Sequence, residues 1–185
     1  NRDKPFDEFV VEQIAGDLLP ATGDRRVDYE RHVATGFLQI GPKPVVMRDK
    51  HQMLLDIADE QVDATGMAFL GLTLGCARCH DHKFDPIPTQ DYYSLAGMFM
   101  STHVMRDFEP DSKWITPEIE NPDGQKVKII SVRDHPPEER GDLRVHLRGS
   151  YKKLGELAPR RFLQIIAGEN HACLLYTSPS PRDGL

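Results

Sequence analysis

The sequence predicts a mainly α protein, with helices gathered around a short cysteine loop and a small β-containing segment after them. Apolar residues recur at helical spacing in four stretches before about residue 105. The tightest sequence signal, Cys76-Ala77-Arg78-Cys79-His80, falls between two of those stretches. Strand-like alternation sets in only after a strong turn at Asn121-Pro122-Asp123-Gly124.

The first helix opens with Asp3 as a cap and Pro5 in its first turn, carries Phe6, Phe9, Val10 and Ile14 on one face, and stops at Leu19-Pro20. In the second, Tyr29, His32, Val33, Gly36, Phe37 and Ile40 share a face, with His32 as a core residue, and Gly41-Pro42-Lys43-Pro44 ends the run. The longest pattern runs from about Lys50 to Leu74 and leads straight into the cysteines. Its apolar face holds Leu54, Ala58, Val62 and Phe69, opposite an acidic stripe of Asp56, Asp59, Glu60 and Asp63. A stripe of this kind is expected to be solvated, although Asp59, Glu60 and Asp63 are also close enough to form a metal site or acid–base pair. After an irregular stretch from Asp81 to Pro88, Tyr92, Leu95, Ala96 and Phe99 mark a short fourth helix.

From Pro110 the character changes to turns and a β-rich run around Val127 and Ile129, as at a linker. Leu143, Val145 and Leu147 then alternate with Arg144, His146 and Arg148, the pattern of a half-buried strand with a solvated basic face. The run Leu174 to Asp183 has no hydrophobic periodicity and looks like translated adapter read-through, so residues 173–185 are set apart as an artefact tail, with Cys173 among them. Residues 1–105 form the helical domain, 106–142 the linker and β-containing segment, and 143–172 the start of a further domain.

A chain of 185 residues can close a core. Its net charge of −6 is spread over both signs with no basic run, which argues against nucleic acid or an anionic membrane as partner. Around Met67 to Leu74 the most apolar stretch falls far short of the ~20 residues a membrane span needs. Asn1 opens directly onto a helix-start pattern, as expected for an internal fragment. Phosphate-loop, nucleophile-elbow and His-Glu-x-x-His signatures are missing, so nothing supports hydrolysis.

In Cys-x-x-Cys-His, two thiols one turn apart can add to the two vinyl groups of one porphyrin while the next residue, His80, reaches the iron. Haem c is therefore the favoured cofactor, with Cys76, Cys79 and His80 as its attachment set. Zinc is the alternative, since His82, Asp85 or His51 could complete a mixed set with the two cysteines. A redox dithiol needs only the cysteine pair but lacks its usual βαβ setting. With haem bound, the distal position falls to Met98, Met100, Met105 or His103. His82 and Asp85 either orient His80, bind a different metal, or cap the loop.

Taken together, Asp59-Glu60-Gln61-Val62-Asp63, Phe69-Leu70-Gly71-Leu72-Thr73 and Cys76 through Ile87 resemble the signature of the planctomycete-type cytochrome-like PSCyt domain of the second kind, a domain of unknown function. Arg2–Asp7, Ala15–Pro20 and Ala34–Phe37 extend the likeness over most of residues 1 to 105. Val132–Asp134, Val145–Tyr151 and Pro159–Leu163 resemble the opening of the PSD domain that follows in such proteins. The resemblance implies a large, periplasmic or cell-surface bacterial protein associated with polysaccharide use, often with an upstream cytochrome module. That module, or a separate redox protein, would then be the electron partner. A non-redox structural role, or a catalytic role shared with a C-terminal part not contained in this sequence, is the alternative.

Overall fold

The computed structural model describes residues 3–43, 49–107 and 113–167. Its helices are α1 (Phe6–Ala15), α2 (Arg25–Ala34), α3 (Lys50–Thr65), α4 (Thr89–Phe99) and the short α5 (Gln164–Ala167). The strands are short: β1 (Thr102–His103), β2 (Met105–Asp107), β3 (Lys113–Trp114), β4 (Glu118–Glu120), β5 (Lys126–Lys128), β6 (Arg133–Asp134), β7 (Leu143–His146) and β8 (Leu154–Ala158). The architecture is thus helical with a β segment, as the periodicities predict. Two compact units share the chain in alternation. Among the described residues one comprises 3–41 with 103–107 and 113–134, the other 42–43 and 49–102 with 135–167.

In the first unit α1 packs on α2 and on the 3-10 turn Thr35–Gln39. Pro5, not Asp3, occupies the N-cap of α1, and no side chain caps that end, because the proline ring carries no acceptor for the N–H groups of the first turn. Of the apolar faces predicted for the first two helices, Ile14 alone is buried. Phe6 and Ile40 are exposed, and Phe9, Tyr29, Val33, Phe37 and Ile40 line an open groove of about 600 Å³. The buried set includes Glu12, Ile14, Ala15, Thr35, Leu38 and Gln39 together with Val104, Met105, Ile115, Ser131 and Val132. Its polar members are bonded, although Gln39 Oε1 has no partner among the described residues. Glu12 pairs with Lys4, Thr35 Oγ1 lies 2.8 Å from Ser131 Oγ, and Gln39 Nε2 donates to the Val104 and Ser131 carbonyls at 2.9 and 2.6 Å. The helix predicted to run on to Gly41 stops at Ala34, where Thr35 Oγ1 turns back to the His32 carbonyl and the backbone tightens into the 3-10 turn. β4 and β5 form an antiparallel hairpin in the register Ile119↔Val127, and β2 pairs with β3. The predicted Asn-Pro-Asp-Gly turn closes that hairpin, with Asn121 Oδ1 accepting from the Asp123 and Gln125 N–H groups.

In the second unit α3 packs on α4, and α4 packs on the β7–β8 hairpin. Asp49 caps α3 by accepting from Gln52 N–H, and Met53, Leu55, Ile57, Ala58 and Val62 face the core. Lys43 and Glu60 form a largely buried ion pair. All residues of α4 from Asp91 to Phe99 are buried. The buried Asp91 takes Arg161 Nη2 at 3.0 Å and the Gln164 N–H at 2.8 Å, binding the segment before α5 to this helix.

The single helix expected from Lys50 to Leu74 is interrupted. α3 ends at Thr65, a π-type turn spans Gly66–Leu70, and Gly71 adopts a left-handed φ of 67° that stops it. Beyond it Leu74 packs so closely on Gly66 that a Cβ there would lie 2.7 Å from Leu74 Cγ. The cysteines consequently sit on a turn of their own. The tail from residue 168, with Cys173, lies outside the described residues.

Candidate functional site

Leu74–Arg78 form one 3-10 turn with Cys79 at its C-cap, and Leu74 and Ala77 anchor it by burial. At three residues per turn, positions three apart stand on one face, so Cys76 and Cys79 share a side. Both are free thiols on exposed residues.

His80 follows, also exposed. Its Nδ1 lies 2.7 Å from the Asp81 carbonyl, which can only accept, so Nδ1 carries the proton and Nε2 is the nitrogen with the lone pair. His82 is differently engaged. Its Nδ1 accepts from the Asp85 N–H at 2.9 Å and the Phe84 N–H at 3.3 Å, while Nε2 lies 3.1 Å from Thr73 Oγ1. The Asp85 carboxylate also approaches Nδ1, at 3.3 Å. Those bonds fold the Asp81–Pro88 loop on itself. Thr89 N–H, at the start of α4, donates to Asp81 Oδ1 at 2.8 Å. Met98 is buried in α4 and Met100 is half-buried at its C-cap. Met105 and His103 belong to the other unit.

Beneath the thiols, the acidic stripe of α3 is a receiving surface and not a solvated face. Arg78, between the two cysteines, donates from Nη2 to Asp56 Oδ1 at 2.7 Å and from Nη1 to Asp59 Oδ2 at 2.8 Å. Asp63 accepts the Gly75 N–H at 3.1 Å, one residue before Cys76. Residues 56, 59 and 63 therefore hold both ends of the turn from one helix face. Burial pulls the Arg78 guanidinium toward deprotonation, but the Asp56 bond and the Asp59 charge more than offset this and hold it firmly cationic.

Two tyrosines of α4 complete the floor. Tyr92 Oη donates to Asp59, and burial, then the Asp59 charge, pushes its ionisation far above the usual phenol range. Tyr93 Oη donates to the Arg78 carbonyl at 2.9 Å, and its phenol is pushed up to about 12 by burial, with Arg78 opposing. The Tyr93 ring is 5.0 Å from that of Tyr92 and 4.7 Å from His146 of β7. His146 was expected on a solvated basic face. It is buried, because an irregularity between Arg144 and His146 breaks the alternation, and burial with His51 and Arg78 nearby lowers its pKa.

The turn after β7 forms the last wall. Arg148 and Gly149 both have left-handed φ, 54° and 73°, and a Cβ on Gly149 would lie 2.8 Å from Cys79 Sγ. Tyr151, just beyond, donates to Asp49 and stacks edge-on to His51 at 5.1 Å, so this end of the segment is fixed to α3 and its cap.

Arg78, Tyr92, Tyr93, His146 and Gly149 were not singled out as site residues from sequence. The signal for Arg78 was present in the 56, 59, 63 spacing of acids opposite a lone cation. Nothing local could have revealed Gly149.

Among known proteins, a family described as PSCyt2, protein of unknown function (DUF1549), matches residues 1–104. No curated protein and no solved structure matches the chain.

Proposed function

Because the chain belongs to the PSCyt2 family, a family of unknown function, we propose from its own residues that it is a c-type haem-binding electron-transfer module. Cys76 and Cys79 would hold the haem through thioether bonds, and His80 would ligate its iron through Nε2. The observation that carries this reading is the combination of two free thiols on one face of a 3-10 turn with an adjacent imidazole whose Nδ1–H is already committed to a carbonyl. A ligating histidine needs its second nitrogen held in this way.

The bound haem would supply a one-electron iron couple. The chain's part is to fix the attachment turn through Arg78, Asp56, Asp59 and Asp63, and to orient His80 through the Asp81 carbonyl. Met98 and Met100, on the helix that packs against the turn, are the distal candidates. The context is an extracytoplasmic bacterial protein associated with polysaccharide use, with a PSD domain following, and the electron partner is an upstream cytochrome module or a separate redox protein. No helix among the described residues is long and apolar enough to cross a membrane.

A zinc site on Cys76, Cys79 and His82 is the weaker reading, because both ring nitrogens of His82 already have partners. The chain is to be exported alongside a c-type haem maturation system and its pyridine haemochrome spectrum recorded, with Cys76→Ser as comparison. A covalent c-type band that weakens or shifts in the variant supports electron transfer. A folded, colourless wild-type protein overturns it, and stoichiometric zinc by elemental analysis would then establish the second reading.

A further inference from the structure

We propose that Gly149 is a specificity-determining residue of the cysteine site: by lacking a side chain it sets where Cys79 Sγ stands and so whether this second thiol can be attached. The proposal rests on the haem reading and adds to it a residue far outside the stretch that matches the family.

On the side of Cys79 the chain brings up backbone instead of a side chain. Arg148 and Gly149 form a left-handed pair, and an ideal Cβ on Gly149 would fall 2.8 Å from Cys79 Sγ, closer than carbon and sulfur can approach. The wall is not free to drift. Val145 and His146 belong to the β7–β8 hairpin, the Tyr93 ring backs His146, and Tyr93 Oη holds the carbonyl of Arg78, the residue before Cys79. Tyr151 is tied to Asp49 at the start of α3. The sulfur and the glycine are therefore held to one framework, and any side chain at 149 must drive Sγ out of its place.

Position matters for the bond to be made. In thioether formation the thiol adds across a vinyl double bond: sulfur bonds to the carbon next to the ring, the thiol hydrogen goes to the terminal carbon, and the π bond is consumed without any net oxidation or reduction. Both sulfurs must meet their vinyl carbons on one rigid macrocycle, so a displaced Cys79 Sγ leaves attachment to Cys76 alone.

The test uses the full chain with Gly149→Asn, since asparagine tolerates the left-handed backbone yet brings the Cβ. Gly141→Asn is the control, a glycine whose Cβ would meet nothing within 4 Å. In the reduced, haem-free protein, iodoacetamide alkylation of Cys76 and Cys79 is followed separately by peptide mass spectrometry. The ratio of the two rates is expected to change by roughly fivefold or more in Gly149→Asn and to stay at the wild-type value in the control. After haem loading, Gly149→Asn is expected to hold haem on Cys76 with Cys79 still alkylatable. An unchanged alkylation ratio, or haem bound to both cysteines, overturns the proposal.

If Gly149→Asn lowers the unfolding midpoint, adding Cys79→Ala restores it when the sulfur is what the new Cβ meets; a midpoint that stays low marks strain at the turn and also overturns the proposal. Alkylation is read without haem. A wild-type chain that takes up none therefore removes the electron-transfer reading beneath this one, whereas an unaltered ratio removes Gly149 and leaves that reading standing.

Discussion

Arg78 Nη1 donates to Asp59 Oδ2 at 2.8 Å, joining the middle of the cysteine motif to the helix two elements before it. Asp59 also accepts from Tyr92, whereas Asp56 accepts from Arg78 and Gln52. The five-residue motif is thus held from below by side chains of α3 and α4.

Removing Arg78 leaves two partly buried carboxylates without their cation. Arg78→Met is expected to cost about 2 kcal/mol, below the figure for fully buried pairs because Asp56 and Asp59 keep some contact with water. Asp59→Asn should cost more than Asp56→Asn, since it also disturbs the buried Tyr92 hydroxyl. Urea unfolding of the three variants checks both the size and the order.

His146 sets an acid-side limit. Its folded pKa lies below the ordinary value of 6.5, so protonation is disfavoured in the native state relative to the unfolded chain. Its contribution to stability is complete above about pH 6.5 and is lost as pH falls through the depressed folded value. His146→Gln should flatten stability between neutrality and pH 5. Asp28 and Asp49, also depressed from 3.8, act only at lower pH, which separates the two effects in a pH series of thermal melts.

The two floor tyrosines act at the other end. Both phenols ionise at higher pH in the folded protein than in the unfolded chain, where the value is near 10. Their contribution is complete below pH 10 and is lost as pH rises toward the folded values. Stability should therefore decline above pH 10, and Tyr93→Phe should remove the part of the decline that runs to about pH 12, read by denaturant midpoints at alkaline pH.

Gly71 ends the helix that otherwise points into the cysteines. With a φ of 67° and nothing within 4 Å of a Cβ, its replacement meets backbone strain and no clash. Gly71→Ala is expected to cost about 1 kcal/mol and Gly71→Asn less, since asparagine enters the left-handed region more readily. Equal losses in the two variants would instead point to crowding.

Helical spacing alone located α1, α2, α3 and α4, and the Asn-Pro-Asp-Gly hairpin followed from turn chemistry. What misled was the use of each face. Phe6, Phe9 and Ile40 have the pattern of a core face but are exposed, whereas Glu12 and Gln39 are buried, Glu12 on Lys4 and the Gln39 amide N–H groups on the Val104 and Ser131 carbonyls. The acids of α3 have the pattern of a solvated stripe because their partner, Arg78, lies on another element. Pattern records which residues are alike, whereas burial is decided by partners distant in sequence. The thiols and His80 were legible because their chemistry is local to five residues. Gly149 was not, because its meaning is a distance to a sulfur.

The second unit is assembled from two stretches of chain with the greater part of the first unit's β segment between them. Synthesis runs from the N-terminus, so Cys76 and Cys79 leave the ribosome well before residues 143–151 exist. For that interval the thiols stand on a turn already able to dock on α3, but with one wall missing. A nascent chain therefore presents Cys79 without the Gly149 backbone that the finished protein sets beside it, and that wall is completed only once β7 and β8 have been made.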